Sequence, residues 1–470
     1  MKINYKLFVA TLATALLFGC ATHRVNRSPE PTIDPPESFL PTAQTSKPIK
    51  TQWWVEFSSP ELDTLMETAL IENLDIKQAW NRLAQSRAVY ESSRAGLFPS
   101  FRLNGNASQT HITDDADTGT DSSKIESALL GGELSYEIDL WRRIGGLKNS
   151  AQANVAASYE EVQATAFTIS GSVVDSWLSI REQVELLKLT RQQLATNKIQ
   201  LELLELRLTV GEASALDILQ QRQQIAATEA EIPTLLSAQQ TARHQLQILL
   251  GQAPRNDFIQ TDDVTLPQLP PLPSLGTPID LLEQRPDLRA ARNRLVAEDY
   301  ALAVAIAERL PRLTLNLSYD FQANDIAGPF NRQIKSIIGN LTAPIFEGGR
   351  LKAEIKRRRA IVEERLNHYS QLFLNALLEV ENALTQERKQ GELINALQIQ
   401  AGYAQDSLQE ARARYLNGLN DYLPVLTALR SAQELERRII SERRLQLNFR
   451  SNLYRALGGS WSQALQTEEK

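Results

Sequence analysis

A single cysteine in 470 residues excludes an internal disulfide and any zinc site built from paired thiolates. The four histidines, His23, His111, His244 and His368, lie far apart. No His-Glu-x-x-His, Cys-x-x-Cys, Gly-x-Ser-x-Gly or phosphate-cradling glycine loop accompanies them. The chain therefore reads as a non-enzyme without metal or dissociable cofactor. Neither charge sign dominates, with 50 Lys and Arg against 56 Asp and Glu and a net charge of -6 spread along the sequence, so no basic patch argues for nucleic acid. Glycine (21 residues) and aromatics (6%) are sparse, while Gln, Glu, Arg, Leu and Ala crowd the long stretches, a mainly helical composition. Long apolar runs are also missing. The stretch over residues 7–17 is too short to span a bilayer as a helix.

That short run has a context of its own. Lys2 and Lys6 precede it and Leu17-Phe18-Gly19-Cys20 follows it, the layout of a secretion signal over residues 1–19. A lone cysteine after a small residue at a signal-peptide end resembles the bacterial lipobox. The resemblance implies S-diacylglycerol and N-palmitoyl groups on Cys20, and Ala21 in place of an inner-membrane-retaining Asp implies the outer membrane. Residues 20–52 carry Pro29, Pro31, Pro35, Pro36, Pro41 and Pro48 and read as an extended tether.

The rest of the chain is written twice. An offset of 212 pairs Leu70 with Leu282, Asp75 with Asp287 and Pro99 with Pro311; beyond a five-residue slip, an offset of 207 pairs Leu134 with Leu341, Arg143 with Arg350, Gly211 with Gly418 and Gly251 with Gly458. Constant offsets over tens of residues mean two equivalent structural units, taken as residues 53–252 and 279–458, with a Pro-rich linker at 253–278 and a polar tail at 459–470.

Each copy opens with a three-four apolar period, in the first from Pro60 to about Leu97 with a break near Asn73 to Asp75. The period then changes to two. Leu313, Leu315, Leu317, Tyr319 and Phe321 alternate with polar residues, Ile337, Gly339, Leu341, Ala343 and Ile345 share a face, and Phe101, Leu103, Gly105, Ala107 and Leu134, Tyr136, Ile138, Leu140 repeat the pattern. Four strands of about ten residues are expected, the length of a tilted transmembrane β-strand. The segment from His111 to Lys124, with Asp114, Asp115, Asp117 and Asp121, reads as an external loop, and Glu133, Glu137, Asp139 and Asp320 suggest a cation-tolerant lumen. After each strand pair comes a proline-free run of roughly 65 residues, at ~1.5 Å each a rod of about 100 Å. Its seam in the first copy is Val155, Tyr159, Val162, Ala166, Ile169, Val173, Trp177, Ile180, Val184 and Leu187, and each run turns at Gly211 or Gly418 and returns as a second helix.

Four amphipathic transmembrane strands cannot close, and an open edge in hydrocarbon leaves backbone groups unpaired at several kcal/mol each. Several chains must share one barrel. Three would give twelve strands, and closure alone equally permits two or four. The fold expected is mainly α with a β-barrel portion.

Trp53-Trp54 with Phe57 and Leu62, Tyr136-Glu137-Ile138-Asp139-Leu140-Trp141, Gln284-Arg285-Pro286-Asp287-Leu288, and above all Pro344-Ile345-Phe346-Glu347-Gly348-Gly349-Arg350 resemble the TolC-like outer membrane efflux family, lipoprotein branch. Arg142 departs from that pattern, standing where the family usually has glycine before Arg143. The resemblance implies a homotrimeric twelve-stranded barrel on a periplasmic helical tunnel, lipid-anchored in the outer membrane. It further implies a periplasmic adaptor and an inner-membrane, proton-driven transporter as partners, and export of small molecules. Export of polypeptide by a duct of the same architecture, or a pore-less periplasmic coiled-coil scaffold, are the alternatives.

The two turns carry the candidate site. Arg207-Leu208-Thr209-Val210-Gly211 and Arg414-Tyr415-Leu416-Asn417-Gly418 repeat Arg-x-x-x-Gly, each followed by acids, Glu212 and Asp217 in one and Asp421 in the other. Helix C-caps explain the glycines and about half of the arginine preference. The resemblance adds a functional expectation: both turns form a periplasmic mouth that contacts the adaptor, closed by Asn420, Asp421 and Tyr422, which stand where the first copy has Ala213-Ser214-Ala215.

Overall fold

A computed structural model describes residues 23–39, 52–114, 121–255, 265–326 and 328–458. Cys20, the signal sequence over 1–19 and the tail at 459–470 lie outside the described residues. A 3-10 turn, Trp53–Phe57, is followed by helices α1 (Pro60–Glu72) and α2 (Leu74–Ala95), strands β1 (Ser100–Asp114) and β2 (Asp121–Ile138), and the helical hairpin α3 (Arg143–Thr209) and α4 (Ala215–Leu249). The second copy gives a one-turn α5 (Leu281–Gln284), α6 (Pro286–Ala307), β3 (Arg312–Ala323), β4 (Arg332–Thr342), α7 (Arg350–Leu416) and α8 (Leu423–Leu457). Both long helices have 67 residues and both returning helices 35, so the helices of the two hairpins keep the same lengths.

The chain divides into two compact units that cut across the sequence repeats, each unit drawing a stretch from both copies. The first gathers 82–159 and 290–370 with the N-terminal segment, and it holds the sheet. The strands are antiparallel in the order β1-β2-β3-β4. Pairing places Phe101, Leu134, Leu317 and Ile337 in one row across the sheet, and Arg102, Glu133, Ser318 and Ser336 in the next. Because side chains alternate faces, one face is apolar and the other polar. Among the described residues much of the apolar face is uncovered, with Phe101, Leu103 and Ile337 each about 70% exposed or more, although Ala128 and Ala323 at its far end are buried.

The strands differ from expectation in length. β1 has 15 residues and β2 has 18, against 12 and 11 for β3 and β4. The segment expected as an external loop is largely strand, since His111 pairs with Lys124 and the ladder continues to Asp114 and Asp121. Residues 115–120 lie outside the described residues. At the other end Ala343 and Ile345, expected on the face of β4, fall beyond it because the intervening Pro344 has no N–H to continue the ladder.

The strand-to-helix junction in the first copy is built from the acids that suggested a charged lumen. Asp139 caps α3 by accepting from the backbone N–H of Ile144 (3.0 Å) and Gly145 (2.7 Å). Glu137 takes a bidentate pair from Arg143 at 3.0 and 2.8 Å. Two of the four acids are therefore committed to structure. In the same unit α6 and α7 pack together through Leu302, Ala305 and Ile355 with Ile306 and Val362. Residues 23–39, read as tether from the sequence, contain neither helix nor strand and bend at 27–28, 32–33 and 37–39. The beginning of this segment is nonetheless docked: His23 Nε2 lies 2.5 Å from Asp299, the Asn26 N–H donates to the same carboxylate at 2.8 Å, and the Thr32 N–H donates to Ser370 Oγ.

The second unit, 33–81, 160–289 and 371–470, contains the main core. Trp53, Trp54 and Phe57 pack against Trp177 and Tyr454, with Trp53 stacked on Tyr454 at 5.8 Å. The seam read from the sequence is this core's spine: Val162, Ala166, Ile169, Val173, Trp177, Ile180, Val184 and Leu187 are all buried. Asn73 makes the break between α1 and α2 by accepting from the N–H of Asp75 and Ile76 while its amide donates to Leu249 O. Arg450, 4% exposed, forms a bidentate pair with Glu387 and donates to Pro270 O.

Candidate functional site

The two hairpin turns lie in the second unit and share one construction. Gly211 at φ +78 donates to Leu208 O and Glu212 N–H to Arg207 O; Gly418 at φ +68 donates to Tyr415 O and Leu419 N–H to Arg414 O. Two such bonds around a left-handed residue form a Schellman cap, so both glycines are required by helix termination. Asp217 is likewise structural. It forms a capping box with Ser214 at the start of α4, at 2.9 and 3.2 Å.

The predicted site residues do not act alike. Arg207, 14% exposed, pairs with Glu212 at 3.3 Å and sits 5.0 Å over the Tyr415 ring, joining the first turn to the second hairpin. Arg414 is exposed and pairs only with Glu410 on its own helix, at 2.7 Å. Asn420 and Asp421 are exposed. Tyr422, expected to close a mouth, is fully buried inside the hairpin pair: its hydroxyl donates to Gln221 Oε1 at 2.7 Å and its ring meets Tyr415 edge-on at 5.3 Å. Burial pushes both tyrosine hydroxyls upward from the usual phenol range. Around them Leu204, Ile218, Leu408, Val425, Leu426 and Leu429 form an apolar cluster.

Beneath that cluster lies a buried amide network that the apolar period could not reveal. Asn197 and Gln433 exchange hydrogen bonds at 2.9 and 3.4 Å, Gln221 donates to Asn197 O at 2.7 Å, and Asn197 donates to Thr228. Gln193 donates to Gln433 O and receives from Arg437, while Arg430 donates to Gln224. Gln221, Gln224 and Thr228 occupy the inward three-four stripe of α4 usually held by apolar residues. Polar side chains at such positions were the available signal. Together the network joins α3 and α4 of one hairpin to α8 of the other. No cluster of His, Cys, Asp and Glu able to hold a metal occurs among the described residues, and no described helix is long and apolar enough to cross a membrane.

A family model described as "Outer membrane efflux protein" matches residues 65–252 and 277–459, one stretch for each copy of the repeat. The chain belongs to that family. It is 30% identical to the pyoverdine export outer membrane protein OpmQ of Pseudomonas putida, over 98% of each chain. It is 29% identical to the toluene efflux pump outer membrane protein TtgI of Pseudomonas putida, over 86% of this chain and 87% of that one. The solved outer-membrane channel OprN superposes with a TM-score of 0.83 at 28% identity, covering 92% of this chain and 99% of that one. The protein is thus an outer membrane efflux channel, a pump component that moves solutes and performs no chemistry.

Proposed function

We propose that three copies of this chain close one twelve-stranded barrel and one periplasmic helical tunnel, forming the gated exit duct of a tripartite pump for small molecules. The observation that carries this is the sheet: among the described residues β1 and β4 each have one unpaired edge and one face is apolar and largely uncovered, an arrangement that hydrocarbon tolerates only if neighbouring copies complete the ladder. The polar face, with Glu133, Ser318 and Ser336, would line the lumen.

Relatives that export pyoverdine or toluene support small organic compounds as the cargo class. Cys20 would carry the lipid anchor. The turns at Gly211 and Gly418 would meet a periplasmic adaptor that links the duct to a proton-driven inner-membrane transporter. In this reading Arg207 and Tyr422 hold the two hairpins of one chain together, and the exposed Asn420, Asp421 and Arg414 are free to contact neighbouring chains or the adaptor. Opening is a shift between two packings, driven by whatever binds the open one better.

Detergent extraction tests the assembly. A heat-sensitive trimer with β content that forms discrete channels in planar bilayers is expected. A monomer, or a trimer without conductance, would overturn it.

A further inference from the structure

At the end of the sheet where β2 gives way to α3, the first unit carries a pocket of about 930 Å³. Its lining includes Arg24, Arg27 and Arg142, and Trp141, Tyr300 and Leu310 supply aromatic and apolar wall. All three arginines are exposed, and none has an ion-pair partner among the described residues. That separates them from Arg143, one residue on, whose guanidinium is tied to Glu137.

Arg142 is also out of place by backbone. Its φ is +58, a conformation that favours glycine, and under the offset of 207 it aligns with Gly349, which has φ +88. A non-glycine residue there costs roughly 1 kcal/mol. The second copy avoids that cost, and its Gly348-Gly349 pair brings no charge to the matching junction. Nothing in the turn needs the guanidinium, since the helix cap is made by Asp139. The other two arginines are delivered by the N-terminal segment, which His23 and Asn26 fasten to Asp299.

We infer that this pocket binds an anionic glycerophospholipid of the outer membrane's inner leaflet, its phosphate held by Arg24, Arg27 and Arg142 and its upper acyl chain laid against Trp141, Tyr300 and Leu310. Guanidinium groups match phosphate oxygens in geometry as well as charge, and Trp and Tyr beside such a cluster suit the headgroup level of a bilayer. The lipid groups expected on Cys20 carry no phosphate, so they do not answer this charge.

The inference rests on the sheet crossing the membrane as a trimeric barrel, and the test separates the two. Full-length protein is extracted as a trimer and exposed to phosphatidylglycerol, phosphatidylcholine or inorganic phosphate, with bound lipid read by native mass spectrometry. The wild type is expected to retain phosphatidylglycerol over phosphatidylcholine, and Arg142→Gly, which relaxes the backbone, to lose at least about tenfold in retention. Arg24→Gln with Arg27→Gln should lose as much by an independent route. Equal retention in all variants, or equal occupancy by phosphatidylcholine, overturns the lipid site while the trimer stands. Saturation by inorganic phosphate at the same concentration would show an adventitious anion site. Failure to form a β-containing trimer would instead strike at the barrel.

Discussion

Replacing Tyr422 by Phe removes one oxygen from a residue that is fully buried and packed edge-on to Tyr415. The ring keeps its packing, so the change isolates the 2.7 Å bond to Gln221. Gln221 is also fully buried, and its Oε1 would then face the apolar cluster without a donor. An unsatisfied buried acceptor costs about 1–3 kcal/mol. The closed association of the two hairpins should weaken by that amount, a roughly 5–150-fold rise in local opening at about 1.4 kcal/mol per decade. Hydrogen exchange on the purified trimer should show faster exchange at the last turn of α7 and first turn of α8, with the sheet unchanged. Asp421→Ala is the contrasting variant, because Asp421 is exposed and contributes nothing to this core. It should leave exchange within each hairpin unaltered while raising single-channel conductance if Asp421 meets a neighbouring chain. Unchanged tip exchange in Tyr422→Phe would refute the assignment of Tyr422 as the tie between hairpins.

Arg450→Met should destabilise the second unit by about 3–5 kcal/mol, since it leaves Glu387 charged and largely enclosed without its bidentate partner; adding Glu387→Gln should recover part of the loss in the thermal midpoint. Gly251→Ala should cost about 1–3 kcal/mol and more than Gly458→Ala, because both have positive φ but a Cβ would meet Glu72 O at 2.5 Å in the first and Gln284 O at 2.9 Å in the second. Tyr454, whose hydroxyl donates to Pro271 O, is pushed up to about 12 by burial. An unfolded tyrosine ionises near ~10, so below that pH the group adds no pH dependence, and stability should fall as pH rises from there towards 12. Phenolate absorbance should show late-titrating tyrosines, Tyr415 and Tyr422 among them, and Tyr454→Phe should remove one from that set.

Much of the architecture was legible because the period of apolar residues is a direct record of burial. The three-four seam from Val162 to Leu187 became the core of the second unit, and the two-residue alternation in Leu313 to Phe321 became one face of the sheet. Strand ends were less legible. Polar residues such as His111 to Asp114 extend a hairpin when a partner strand lies opposite, a fact no local pattern contains. The amide network was hidden for a related reason: Gln221, Gln224, Thr228 and Gln433 look like solvent-facing residues until α3, α4 and α8 meet around them. Tyr422 shows the limit most plainly, since a tyrosine beside Asn420 and Asp421 in a turn reads equally well as mouth or core, and only the position of Gln221 decides.

The two copies diverge where they begin their returning helices, and the divergence has a physical logic. In the first, Ser214 and Asp217 satisfy the helix N-terminus with a reciprocal capping box, so the turn is complete by itself. In the second, the residue at the same position in the helix is Tyr422, which supplies no side-chain cap, and Pro424 reduces the need by removing one N–H. Relieved of capping, the Tyr422 side chain turns inward and spends its hydroxyl on Gln221 of the other hairpin. A self-sufficient cap on one hairpin and a borrowed partner on the other make the second tip dependent on the first. Separation of the hairpins therefore leaves the capping box of the first tip in place while the second tip loses the one bond the Tyr422 side chain makes, so α8 rather than α4 should begin to fray.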